Sequence, residues 1–251
     1  MRQNILLAGV GGQGILSLSY VICNAALEEG LNFKQSEVHG MSQRGGAVQS
    51  NLRISSDPIN SDLIPRGQCD LILSVEPLES LRYIDYLSPD GWVVTSILPH
   101  KNIPDYPAMD EIWNKLDRVR KVVPVSAGAL AKQAGSPLAQ NMVMLGAASG
   151  YLNLKIQSLE RWVENLWTPK GEKVVSINMK AFRIGRVVAE FLSSAIELGI
   201  NIRGLAALAE LVPFEAADRS NVREMVEIIN KYPEDKWRES IGDLVKSIEV
   251  G

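Results

Sequence analysis

The run Asn4-Ile5-Leu6-Leu7-Ala8-Gly9-Val10-Gly11-Gly12-Gln13-Gly14 decides the fold. Residues 4–9 read as a strand, apolar without alternation from Ile5 onward, the pattern of a strand buried on both faces in a parallel sheet. Glycines then crowd together, and residues 15–29 follow with Leu16, Val21, Ile22, Ala25 and Ala26 available for burial at helical spacing. Gly30 can end that helix. A buried strand, a glycine turn and a helix in immediate succession begin a βαβ unit.

Outward from that run, strand and helix patterns alternate. Residues 31–38 read as a second strand. His39-Gly40-Met41-Ser42-Gln43-Arg44-Gly45-Gly46 reads as a polar, glycine-rich loop. Residues 47–54 alternate, with Val48, Leu52 and Ile54 on one face and Gln49, Asn51 and Arg53 on the other, as in a strand with one polar face. Residues 70–75 form another buried strand, and a helix starts at Pro77, where the missing N–H is harmless. Ser88-Pro89-Asp90-Gly91 reads as a turn before a strand at 92–95. Pro99, Pro104 and Pro107 mark an irregular connection, 121–125 is a short strand, and Ser126 is placed to cap the following helix. Helical spacing fills 138–154, 158–166 and 173–198, then 203–211, 220–231 and 234–249. The last of these gathers Trp237, Ile241, Leu244, Val245 and Ile248 on one face. The expected architecture is a three-layer α/β/α fold with a mostly parallel, Rossmann-like sheet and a helical C-terminal third. Gly199 and Asn201 break the pattern, dividing a main domain at 1–199 from a helical extension at 200–251.

Composition narrows the function. The chain has 251 residues, 46% hydrophobic and 22% charged, so it can bury a core without staples. A net charge of −3 argues against a nucleic-acid binder. No apolar run reaches about 18 residues, so no membrane span is expected. The N-terminus lacks a signal-peptide layout and the cytoplasm is the expected compartment. Two cysteines, Cys23 and Cys69, are too few for a zinc or iron–sulfur site, and no His/Cys/Asp/Glu spacing matches a metal site. Cys23 reads as a buried thiol, and Cys69 lacks a partner base that would make it a nucleophile. Glu76 and Glu79 read as acids at a helix start.

Gly11, Gly12, Gln13 and Gly14 offer backbone N–H groups at a helix N-terminus, a setting for phosphate or another anion. The spacing also fits the dinucleotide pattern G-x-G-x-x-G, with Glu37 23 residues beyond Gly14 as a ribose acid. A tight turn with no ligand is the third reading. Ser42, Gln43, Arg44, Gly45 and Gly46 form the second candidate, because a guanidinium among small polar residues suits a carboxylate, a phosphate or a docking chain. Loops at the carboxyl ends of neighbouring strands lie together, so the two stretches should make one patch. His39, Met41, Arg44 and Arg53 are the candidate partner-interface residues. No side chain is assigned a catalytic role.

The glycine run, the stretch Glu37-Val38-His39-Gly40-Met41-Ser42-Gln43-Arg44-Gly45-Gly46, the segment Arg53-Ile54-Ser55 and the Asp70 strand ending at Glu76-Pro77 resemble the gamma-type subunit of 2-oxoacid:ferredoxin oxidoreductases. The His-Gly-Met-Ser-Gln-Arg-Gly-Gly wording matches the branch acting on indolepyruvate. The resemblance covers roughly residues 3 to 190. It implies a complex that oxidatively decarboxylates an aryl pyruvate, passes the acyl group to coenzyme A and reduces ferredoxin. It also implies a larger alpha subunit holding thiamine diphosphate, magnesium and 4Fe-4S clusters, because this chain has neither a Gly-Asp-Gly thiamine signature nor clustered cysteines. None of these groups is expected on this chain alone, and coenzyme A is a candidate cosubstrate at its surface. The competing readings are a stand-alone NAD(P)-binding oxidoreductase and a non-enzymatic docking module.

Overall fold

The strand-like run 4–9 lies inside β1 (Arg2–Val10), which is buried from Gln3 onward. The computed structural model describes residues 1–39, 45–211 and 219–250. After β1 come α1 (Ile15–Glu28), β2 (Asn32–His39), β3 (Ala47–Ser55), β4 (Cys69–Ser74), α2 (Pro77–Arg82), β5 (Leu87–Ser96), α3 (Met109–Leu116), β6 (Val122–Val125) and α4 (Ala127–Ala134). Six helices complete the chain: α5 (Gln140–Ala148), α6 (Ile156–Trp167), α7 (Glu172–Glu197), α8 (Ile202–Leu211), α9 (Arg219–Lys231) and α10 (Glu234–Val250).

The sheet order is β2-β3-β1-β4-β5-β6. β1, β4, β5 and β6 pair in parallel. β3 runs against both of its neighbours, with Val10 opposite Ala47 and Arg2 opposite Ser55. The sheet is thus mostly parallel, and the polar-faced strand is the reversed one.

Alternation along β1 divides the core. Ile5 and Leu7 face a cluster built from α1 and α4–α7, whereas Leu6 and Ala8 join Ile72 and Val93 against α2 and α3. Helices therefore cover both faces. In α1 the buried side chains include Ile15, Leu18, Val21 and Ile22, while Leu16, expected to be available for burial, is 60% exposed. The difference is one position on a helical wheel, which turns Ile15 inward and Leu16 out. α5 and α7 cross at glycines: a Cβ on Gly146 would lie 1.9 Å from the Phe182 carbonyl oxygen, and one on Gly185 would lie 1.9 Å from that of Val143. Only hydrogen side chains permit that approach.

α7 ends at Glu197, and α8 begins at Ile202, where the helical pattern breaks in the sequence. The tail nonetheless shares the main core. Leu205 and Leu208 of α8, Met225 of α9 and Trp237 and Ile241 of α10 are buried in the same cluster as α5 and α7.

Three local expectations are corrected. Ser88-Pro89-Asp90-Gly91 lies within β5, where Cys69 faces Leu87 and Leu71 faces Trp92. Five steps along β5 thus match two along β4, a bulge that absorbs the turn residues. Ser126 occupies the N-cap position of α4 but makes no side-chain capping bond. α3 has no counterpart in the sequence reading, because prolines on its N-terminal side masked a helix of only eight residues.

Candidate functional site

β1 leads into α1 on one face of the sheet, and β4 leads into α2 on the other. The carboxyl ends of β1 and β4 are adjacent, with Val75 N–H donating to the Ala8 carbonyl at 2.9 Å. This reversal of direction is where open α/β sheets leave a crevice for ligands.

The glycine turn lies at that point of the sheet. Gly12 and Gly14 take the left-handed φ values of 100° and 80° that side chains disfavour. Gln13 folds inward: its N–H donates to the Val10 carbonyl at 3.0 Å and its Oε1 accepts from Val10 N–H at 2.7 Å. Gln13 is therefore tied into the turn itself through its N–H and Oε1. Gly11 N–H is also occupied, by the Gly46 carbonyl at 2.8 Å. Among the described residues, the amides of Gly12, Gly14, Ile15 and Leu16 have no acceptor. These four carry what the α1 N-terminus can offer an anion. Asn141, at the start of α5, closes one side of the turn, with Nδ2 3.5 Å from the Gly14 carbonyl. A Cβ on Gly14 would come within 2.4 Å of that Nδ2.

The second loop meets the first. Besides the Gly11–Gly46 bond, Gly45 N–H donates to the Gly11 carbonyl at 3.4 Å. The two loops thus share one end of the sheet, and Gly45 and Gly46 lie against the turn. Met41, Ser42, Gln43 and Arg44 lie outside the described residues. His39 ends β2 opposite Val48, and its side chain also lies outside them. Arg53 stands apart. Opposite Asn4, it lies toward the other end of β1, with Nε donating to Asn4 Oδ1 at 3.0 Å and Nη1 to the carbonyls of Ser61 and Leu63 at 2.9 and 3.2 Å. It pins a connecting loop to the sheet, away from Gly45 and Gly46.

The dinucleotide reading loses its acid. Glu37 sits on β2, and β3 separates β2 from β1. Two strand spacings, about 9–10 Å, then part Glu37 from the strand that ends in the glycine turn.

The sequence reading missed an anchoring network beside the crevice. Glu76 is the N-cap of α2, its Oε2 accepting from Glu79 N–H at 2.8 Å. Its Oε1 accepts from His100 N–H at 3.2 Å and from the Tyr106 hydroxyl. Burial, then the bond to Glu76, push the Tyr106 phenol well above its ordinary range. Asn102, between His100 and Tyr106, donates from Nδ2 to the Gly45 carbonyl at 2.9 Å. Glu79 is buried with Oε2 unpaired, and its carboxyl is pushed up by burial, although Arg82 Nε lies 3.0 Å from Oε1. Both thiols are buried, and burial raises Cys23 and Cys69 to about 12, a setting for inert cysteines rather than nucleophiles. Among the described residues no group of three or more His, Cys, Asp or Glu could hold a metal.

Fold and site define a Rossmann-like α/β protein whose glycine turn, braced by a second glycine loop, opens at the carboxyl end of the sheet. Residues 4–188 match the model for the pyruvate ferredoxin/flavodoxin oxidoreductase family, and the chain belongs to that family. It is 38% identical over 192 residues to the indolepyruvate oxidoreductase subunit IorB of Archaeoglobus fulgidus, covering 74% of this chain and 94% of that relative. Identity to the IorB subunit of Methanothermobacter thermautotrophicus is also 38%, covering 74% and 96%. The gamma subunit of a keto/oxoacid ferredoxin oxidoreductase from Geobacter sulfurreducens shares the fold, with a TM-score of 0.54 at 24% identity over 75% of this chain and 98% of that one. A 2-oxoglutarate:ferredoxin oxidoreductase from Magnetococcus marinus, solved with 2-oxoglutarate, coenzyme A and succinyl-CoA, aligns with a TM-score of 0.61 at 23% identity. That match covers 75% of this chain and 31% of the larger one.

Proposed function

We propose that this chain is the smaller, gamma-type subunit of a cytoplasmic 2-oxoacid:ferredoxin oxidoreductase that acts on an aryl pyruvate such as indolepyruvate. The observation that carries the reading is the 38% identity that runs through 94% of an indolepyruvate oxidoreductase subunit. The overall reaction converts the 2-oxoacid and coenzyme A to acyl-coenzyme A and carbon dioxide, with two electrons passing to ferredoxin. Thiamine diphosphate with magnesium, and 4Fe-4S clusters, supply the decarboxylation and the electron path. The residues of this chain do not fit those groups, since its two cysteines are buried in the core. The larger alpha subunit is their proposed holder.

The work left to this chain is binding and placement. In this reading the amides of Gly12, Gly14, Ile15 and Leu16 face an anion, and Ser42, Gln43, Arg44, Gly45 and Gly46 contribute to binding it. Coenzyme A brings phosphates of the matching charge, and the alpha subunit covers the rest of that end, with His39, Met41 and Arg44 at its border. Residues 1–199 would then be the family domain, and 200–251 an extension attached to it.

Reconstitution tests the proposal. The chain mixed with the large subunit should reduce ferredoxin in the presence of aryl pyruvate and coenzyme A, whereas each chain alone should not. Full activity of the large subunit alone, or nicotinamide reduction by this chain alone, would overturn it.

A further inference from the structure

We propose that Glu76 is a positioning residue that, through the 97–108 strap, fixes Gly45 and Gly46 against the glycine turn. This rests on the functional reading above, in which those two glycines and the turn form one binding surface.

The strap leaves β5 at Ile97, whose N–H still bonds to the Val125 carbonyl at the sheet's edge, and it has no regular structure before α3. Pro99, Pro104 and Pro107 remove three backbone donors and fix three φ angles. Such a segment has few main-chain bonds of its own and depends on side chains to hold it. Glu76 supplies that hold at two places, the backbone of His100 and the hydroxyl of Tyr106, which bracket the middle of the strap. Glu76 is only 1% exposed, and its second oxygen is committed to Glu79 N–H at the start of α2. Its position is thus determined from both ends. Between the two anchors Asn102 reaches Gly45, and Gly45 and Gly46 bond to Gly11. Hydrogen bonds joined by short stretches of strap backbone thus link a buried carboxylate to the turn whose amides would meet the ligand. A charged acceptor taking several donors is the strong form of such an anchor.

Hydrogen exchange on the full chain separates the proposal from the reading beneath it. Tyr106→Phe, which removes one hydroxyl, and Asn102→Ala should each speed exchange of the Gly11 and Gly45 amides at least 5-fold. Core amides of β4 should be unchanged. In the reconstituted complex the same variants should raise KM for coenzyme A or weaken subunit association, with kcat at saturation retained. Asn102→Gln should restore part of the loss. Unchanged exchange at Gly11 and Gly45, or a uniform rise across the sheet, would overturn the positioning role. Faster exchange at those two amides with no change in KM or association would instead overturn the functional reading of the surface while leaving the bond chain intact.

Discussion

At the residue scale the sharpest contrast is between two neighbouring acids. Glu76 is satisfied by three donors, whereas Glu79 is buried with one oxygen unpaired. Desolvation, with the charge of Glu76 adding to it, raises Glu79 above its ordinary 4.5, and Arg82 only partly opposes this. The folded chain therefore holds that proton more tightly than the unfolded chain. Its stabilising contribution is complete below the unfolded value and declines as pH rises through the folded one. Arg82, Glu76, Tyr83 and Tyr106 are the charged and titratable neighbours that shape this response. Glu79→Gln should flatten the pH dependence of unfolding free energy above pH 4.5, leaving the variant at least as stable at pH 7. Denaturant melts at several pH values check this, and an unaltered slope would contradict it. Arg44 gives the second prediction at this scale. Arg44→Ala should lower activity of the reconstituted complex about 10-fold or more, since a desolvated charged contact is worth on the order of 1.5–3 kcal/mol. Steady-state turnover at subsaturating coenzyme A reads it, and unchanged rates would remove that loop from the site.

At the element scale, much of the chain was legible because period and punctuation agree. The unbroken apolar run of β1 and the glycines before α1 both mark a parallel unit, and alternation identified β3 as the strand with a polar face. Alternation alone does not give direction, so the reversal of β3 and its insertion between β2 and β1 were not legible. That insertion is what carries Glu37 away from the glycine turn. Likewise the return of the Gln13 side chain to Val10 was not legible, because it depends on how the turn folds back. The bonds of Glu76 to the strap and of Asn102 to Gly45 were not legible because they join segments far apart along the chain, although Glu76 as a helix-start acid was. The helix crossing makes a testable statement: Gly146→Ala should destabilise by more than about 2 kcal/mol, because its Cβ would overlap the Phe182 carbonyl and force α5 from α7. Trp237→Ala should cost about 3–5 kcal/mol, since its ring lies buried in α10 beside Gly204 of α8, with Nε1 bonded to the Tyr232 carbonyl at 2.9 Å. Thermal melts of both variants measure these losses. An unshifted Trp237→Ala curve would mean that α10 adds nothing to the stability of the core.

At the scale of the whole molecule, one end of the sheet differs from the other. The carboxyl end gathers unpaired amides, two glycine loops and a strap held by a buried acid. At the opposite end Arg53 is tied to Asn4, Ser61 and Leu63 by the chain's own bonds. The family assignment and this asymmetry together support the proposal that the carboxyl end is the face a companion subunit or an anionic cosubstrate covers. Hydrogen exchange of the chain, compared free and in complex with the large subunit and coenzyme A, tests this most directly. The expected result is strong protection at residues 11–16 and 45–47, with little change around Arg53 and Ser61. Protection confined to the Arg53 end or to α9 and α10, with the glycine turn unaffected, would contradict it.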